Sequence, residues 1–133
     1  MPKWILLARK FFVYVVALDD AVRSVKKFRD RNPHSALKKY CSYVGQSIHD
    51  PDCRYRQHKQ CRGKNISFSC ICGAVKRPLT KNLSNRFVYK YGLSLRREVY
   101  EEFNPLKTRR EAEDLEEALA NALSRKDHAV WWG

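Results

Sequence analysis

Apolar positions recur along this chain in two periods, and the period assigns the elements. Tyr14, Leu18, Ala21, Val22, Val25 and Phe28 fall at helical spacing, with Arg23, Lys26, Lys27 and Asp30 elsewhere on the wheel, which predicts a long N-terminal helix. Asn32-Pro33 supplies a cap and a proline at the first helical position, and Leu37, Tyr40, Cys41 and Val44 continue at i, i+3, i+4, i+7. A second helix is expected from about Pro33 to Val44. Gln46 to Lys64 has no period and reads as a polar, basic loop or knuckle. Ile66, Phe68, Cys70 and Cys72 alternate with Ser67, Ser69 and Ile71, as Phe87, Tyr89 and Tyr91 do with Val88 and Lys90. Period two predicts two strands, joined as an antiparallel hairpin through Pro78 and the polar stretch Thr80 to Asn85. Ser94 caps a helix carrying Leu95, Val99 and Phe103, which Asn104-Pro105 stops. Thr108 and Glu111 form a capping box ahead of Ala112, Leu115, Leu119, Ala122 and Leu123, the clearest helix of the chain.

The expected fold class is therefore α+β. It is a small single domain with N-terminal helices, a central Cys/His-rich, zinc-knuckle-like loop with a short antiparallel hairpin, and C-terminal helices. Residues 1–103 form a basic, Cys/His-rich nucleic-acid-binding part, and residues 104–133 an acidic amphipathic helix with a Trp131-Trp132 tail. A chain of 133 residues with 44% hydrophobic positions has material for one core and no room for a second full domain. The apolar opening from Trp4 to Leu18, interrupted by Arg9 and Lys10, is too short to span a bilayer, and no convincing cleavage site follows it.

Charge sharpens the partner class. The formal charge is +13, and no acidic residue occurs between Asp52 and Glu98. Such an excess repels itself unless a polyanion relieves it. The expected partner is RNA or single-stranded nucleic acid, bound through Arg54, Tyr55, Arg56, Lys59, Arg62, Lys64, Lys76, Arg77, Lys81, Arg86 and Lys90. Lys and Arg neutralise phosphates, and tyrosines among them, Tyr55, Tyr89 and Tyr91, can stack on unpaired bases. The acidic end offers a face for a second copy or a host protein. An adaptor working through that helix and a membrane-surface protein inserting Trp4 to Val16 are the alternatives.

Cysteines at 41, 53, 61, 70 and 72 and histidines at 34, 49, 58 and 128 give the candidate chemistry. An odd cysteine count argues against a closed disulfide framework and for a reducing compartment, cytoplasmic or nuclear rather than secreted. The dense run is His49-x3-Cys53-x4-His58-x2-Cys61-x8-Cys70-x-Cys72. Zinc takes four such ligands in a tetrahedron, and a loop without apolar residues gains from that bond the stability it cannot draw from a core. Cys70 and Cys72, on one face of a strand, chelate together in this reading, and two of Cys53, His58 and Cys61 close the site. Cys41 falls on a core face. Phosphate-loop, nucleophile-elbow and dinucleotide patterns are missing, so no enzyme is expected. Asn65-Ile66-Ser67 and Asn82-Leu83-Ser84 match the glycosylation acceptor, which carries meaning only in a secreted chain.

A hydrophobic N-terminal helix, a central Arg/Lys-rich region holding Cys53, His58, Cys61, Cys70 and Cys72, and a charged C-terminal tail together resemble the small cysteine-rich nucleic-acid-binding proteins of plant RNA viruses. The resemblance is one of layout. It implies a suppressor of RNA silencing or a regulator of virus gene expression. In those families an arginine run leads directly into Cys-x2-Cys, whereas Cys53, His58 and Cys61 are spaced otherwise.

Overall fold

The structure, a computed structural model, describes residues 10–62, 67–75 and 85–133. Lys64, Lys76, Arg77 and Lys81 lie outside the described residues, as do Ile66, Pro78 and both glycosylation asparagines.

The α+β class stands, with four strands and five α-helices among the described residues, but several elements exchange type. Phe12–Leu18 is a strand, β1, and not the start of a long helix. Val13 to Val16 are buried on both sides, so the strand shows no polar alternation, and its β-branched valines suit a pleated, covered surface. A turn of 3₁₀ helix, Asp20–Ser24, and the short α1, Lys26–Arg31, follow. The expected second helix is replaced by a 3₁₀ turn at Ser35–Leu37 and by β2, Tyr40–Ser47. β2 runs antiparallel to β1 with Tyr14 opposite Gly45. A Cβ on Gly45 would sit 2.5 Å from the Tyr14 hydroxyl oxygen, so the tyrosine ring lies across the space that glycine leaves open.

The expected loop contains α2, Pro51–Gln60, started by the Asp50 side chain and by proline in its first turn. The expected hairpin is not formed by the described residues. Residues 67–75 are irregular, and Phe87 to Tyr91 belong to a helix, α3, Arg86–Tyr91. There the Asn85 side chain accepts from the N–H groups of Phe87 and Val88, so a cap overrides the period-two pattern. Gly92–Leu95 is β3, antiparallel to β1, and Arg97–Tyr100 is the short α4. The C-terminal helix is confirmed as α5, Arg109–Ser124, with Thr108 accepting from the Glu111 N–H at 3.1 Å. Trp131 and Trp132 are no free tail: His128–Trp132 forms β4, parallel to β2. The sheet order is β3-β1-β2-β4. Residues 104–133 thus add a helix and a strand to the core built by the described residues that precede them.

Two layers cover the sheet. Tyr14, Tyr43 and Trp131 share one face, on which Phe28 of α1, His58 of α2 and Phe87 of α3 pack. Helix α5 lies on the other face, against β1, β2 and β4. Asparagine side chains close the outer side of β4 and the stretch of β1 that β3 leaves uncovered. Asn104 Oδ1 accepts from Val13 N–H at 2.9 Å while its amide donates to Val13 C=O at 2.7 Å, imitating a ladder partner. Asn32 does the same to Val130 of β4, with both bonds at 2.9 Å.

Glu116 is 8% exposed on α5, and burial, assisted by Glu113, raises its carboxyl to about 7. Its proton is held more tightly in the folded than in the unfolded chain. Stability from this group is therefore fullest in acid and is lost as pH climbs from the ordinary carboxylate range through about 7. Glu116→Gln is expected to be near neutral at about pH 4 and to stabilise by about 1–2 kcal/mol at about pH 8. Urea unfolding at both pH values reads this, and equal effects at both would contradict it.

Candidate metal centre

The end of β2 and the start of α2 place two donors. His49 follows β2 directly, its backbone N–H bonded to Ser47 Oγ at 3.0 Å. Asp50 caps α2 by accepting from the Cys53 N–H at 2.8 Å, which fixes Cys53 in the first turn. The segment 67–75 brings Cys70 and Cys72 back onto the same spot.

Four ligand atoms converge: His49 Nδ1 and the sulfurs of Cys53, Cys70 and Cys72 lie within 4.8 Å of one another. His49 Nδ1 is 3.2 Å from Cys70 Sγ, 3.4 Å from Cys72 Sγ and 3.7 Å from Cys53 Sγ. Cys70 Sγ is 3.7 Å from Cys53 Sγ and 3.2 Å from Cys72 Sγ. A tetrahedral ion with metal–sulfur bonds of about 2.3 Å and a metal–nitrogen bond of about 2.0 Å requires edges of about 3.8 and 3.6 Å. The four atoms are thus at coordination spacing with a modest adjustment, and the cluster can hold a metal ion.

The surroundings shift two of the thiols in opposite directions. Burial pushes Cys70 up, but the N–H groups of Val75 and Cys72, the Cys72 thiol and the His49 ring outweigh it and hold Cys70 at about 6. Burial raises Cys72, the Cys70 and Cys53 thiols add to this, and the N–H groups of Ala74 and Asp50 work against it. Backbone N–H groups aimed at the sulfurs are the outer contacts that orient thiolates on a metal. Beneath the cluster, Cys53, Cys61 and Phe68 form a small apolar core of their own.

Of the expected ligands, Cys53, Cys70 and Cys72 come together, while His58 and Cys61 stand apart. Cys61 is buried beneath the cluster, and that burial raises its thiol. His58 has both ring nitrogens engaged. Its Nδ1 accepts from the Asn85 N–H at 2.9 Å, so Nε2 carries the hydrogen and donates to the Tyr14 hydroxyl at 2.7 Å. Burial, with Arg54 nearby, lowers its pKa to about 3, and it stays neutral. His49 takes the place assigned to His58 or Cys61. Its spacing of four from Cys53 across the Asp50-Pro51 helix start was the available signal. All five cysteines are free thiols, and Cys41 is a core residue of β2 as expected.

The cationic candidates also divide. Arg54 is half-buried, its Nη1 donating to Gln57 Oε1 at 2.8 Å, and its guanidinium interacts with Tyr14. Tyr55 packs against the main core. These two are structural rather than open to a ligand. Lys59 reaches the carbonyls of Tyr89 and Gly92 at 3.1 and 2.9 Å, tying α2 to the end of α3. Arg56, Arg62, Arg86 and Lys90 are exposed. Val13 to Val16, part of the proposed membrane insert, are inside the sheet. No helix among the described residues is long and apolar enough to cross a membrane. No protein-family model, curated protein or solved structure matches this chain.

Proposed function

We propose that the chain is a zinc-stabilised basic protein that binds RNA or another single-stranded nucleic acid on the face covered by α1, α2 and α3. One observation carries the reading: the sheet separates charge. Helices α1, α2 and α3 hold nine basic residues against two acidic, whereas α5 holds two basic against five acidic. One acid of the basic layer, Asp52, is paired with Arg97. A layer of one sign focuses the field toward a polyanion and turns the acidic layer away from it. Three thiolates and an imidazole suit zinc among the biological divalent ions. The ion would fasten residues 67–75 to the first turn of α2, so that the basic helix keeps its place. Suppression of RNA silencing or control of virus gene expression is the role that the resemblance in layout adds to this reading.

Replacing Arg56, Arg62, Arg86 and Lys90 together by Gln is expected to weaken binding to single-stranded RNA. It should also flatten the slope of log affinity against log salt by about 3, at roughly 0.7 per phosphate contact. An unchanged slope, or a wild-type chain that does not bind RNA at low salt, would refute the reading.

A further inference from the structure

Three tyrosines lie in the basic stretch, and the fold treats them differently. Tyr55 and Tyr91 are partly buried against the main core. Tyr89 is 43% exposed on the outer side of α3. Among the described residues, no other ring and no cation packs on it, whereas exposed Tyr40 is already covered by His128, Arg96 and Lys39. Its carbonyl accepts from Lys59, so an ammonium group sits at its base. Arg86 and Lys90 flank it on α3, and α2, which packs against α3, carries exposed Arg56, with exposed Arg62 just past its end.

We infer that Tyr89 is a base-stacking platform, and that this surface takes unpaired rather than duplex nucleic acid. The inference rests on the nucleic-acid reading above and names the strand state it selects. An aromatic face set among phosphate-neutralising cations accepts any base that is free of its stack, because every base presents a π-face. A duplex keeps its bases stacked on each other and offers this surface only phosphates. Stacking and charge neutralisation are separable: the first releases no counterions, so losing it lowers affinity without changing the salt slope.

The test uses the full chain with zinc present, a labelled uridine oligonucleotide of about 12 residues, and an RNA duplex of similar length. Tyr89→Ala should weaken single-strand binding by about tenfold, leave the salt slope and duplex binding unchanged, and leave the thermal midpoint in place. Tyr89→Phe should bind as the wild type does, since the ring and not the hydroxyl acts. If the wild type binds the single strand and Tyr89→Ala binds it equally well, the platform is refuted while phosphate contact stands. Duplex binding as tight as single-strand binding also refutes it. If the wild type binds neither, the underlying reading fails as well.

Discussion

The purified chain is expected to carry one equivalent of zinc and to lose both the metal and the docking of residues 67–75 on the first turn of α2 when Cys53 or Cys70 becomes Ser. His49 Nδ1 and the three sulfurs are gathered within 4.8 Å, and among the described residues the small core around them consists of Cys53, Cys61 and Phe68, with Cys70 and Cys72 packed against it. So little apolar surface cannot hold the segment 67–75 in place by burial alone. Structural zinc supplies on the order of 10 kcal/mol, and if even a third of that reaches global stability, the thermal midpoint falls by roughly 10 °C. Metal analysis and thermal unfolding with and without chelator measure both. The informative control is Cys61→Ala, which should lose some stability from its buried site yet keep the full equivalent of metal. Stoichiometric zinc in the Cys53 variant, or its loss in the Cys61 variant, would assign the ligands differently.

The second large effect is on pH. His58 is held neutral with its pKa at about 3, against about 6.5 in an unfolded chain. The unfolded chain takes up a proton that the folded chain refuses, so this group costs nothing above about pH 6.5. Below that, stability falls by about 1.4 kcal/mol per unit down to about pH 3, or about 2 kcal/mol by pH 5. Metal affinity also falls in acid, and a comparison with His58→Gln cancels that share. At neutral pH the variant should be the less stable, having lost the bonds to Tyr14 and Asn85. That difference should shrink by the same amount per unit as pH falls from about 6.5. A gap independent of pH would show that His58 is protonated in the folded chain.

What could be read from the sequence followed from how local each signal was. Helix α5 was legible because Thr108, Glu111 and a regular apolar stripe agree with one another. The first two strands were not, because Phe12–Leu18 and Tyr40–Ser47 are covered on both faces, and a continuous apolar run contains helical spacings by chance. Asp50-Pro51 lies in the stretch that reads as a loop for want of a period, though Asp before Pro also opens a helix. As α2 it aligns Cys53, Gln57 and Cys61 on the buried side and turns His58 toward Tyr14. The metal cluster was half legible. Cys53, Cys70 and Cys72 were named, and the choice among His49, His58 and Cys61 depended on that helix. The opposite charge of the two layers was visible as asymmetry along the chain, but only the sheet between them turns it into two opposed surfaces.

The asparagine clamps carry a consequence for assembly. A strand with free N–H and C=O groups along its outer side invites another chain to add itself there. On β4, Asn32 occupies both groups of Val130, and Arg31 binds the Trp132 carbonyl at 2.9 Å. On β1, Asn104 occupies Val13 where β3 has ended. Growth of the sheet from copy to copy, the route to fibres, is thereby obstructed along β4 and along the stretch of β1 that β3 leaves uncovered, and the four-residue β3 is the margin left for an added strand.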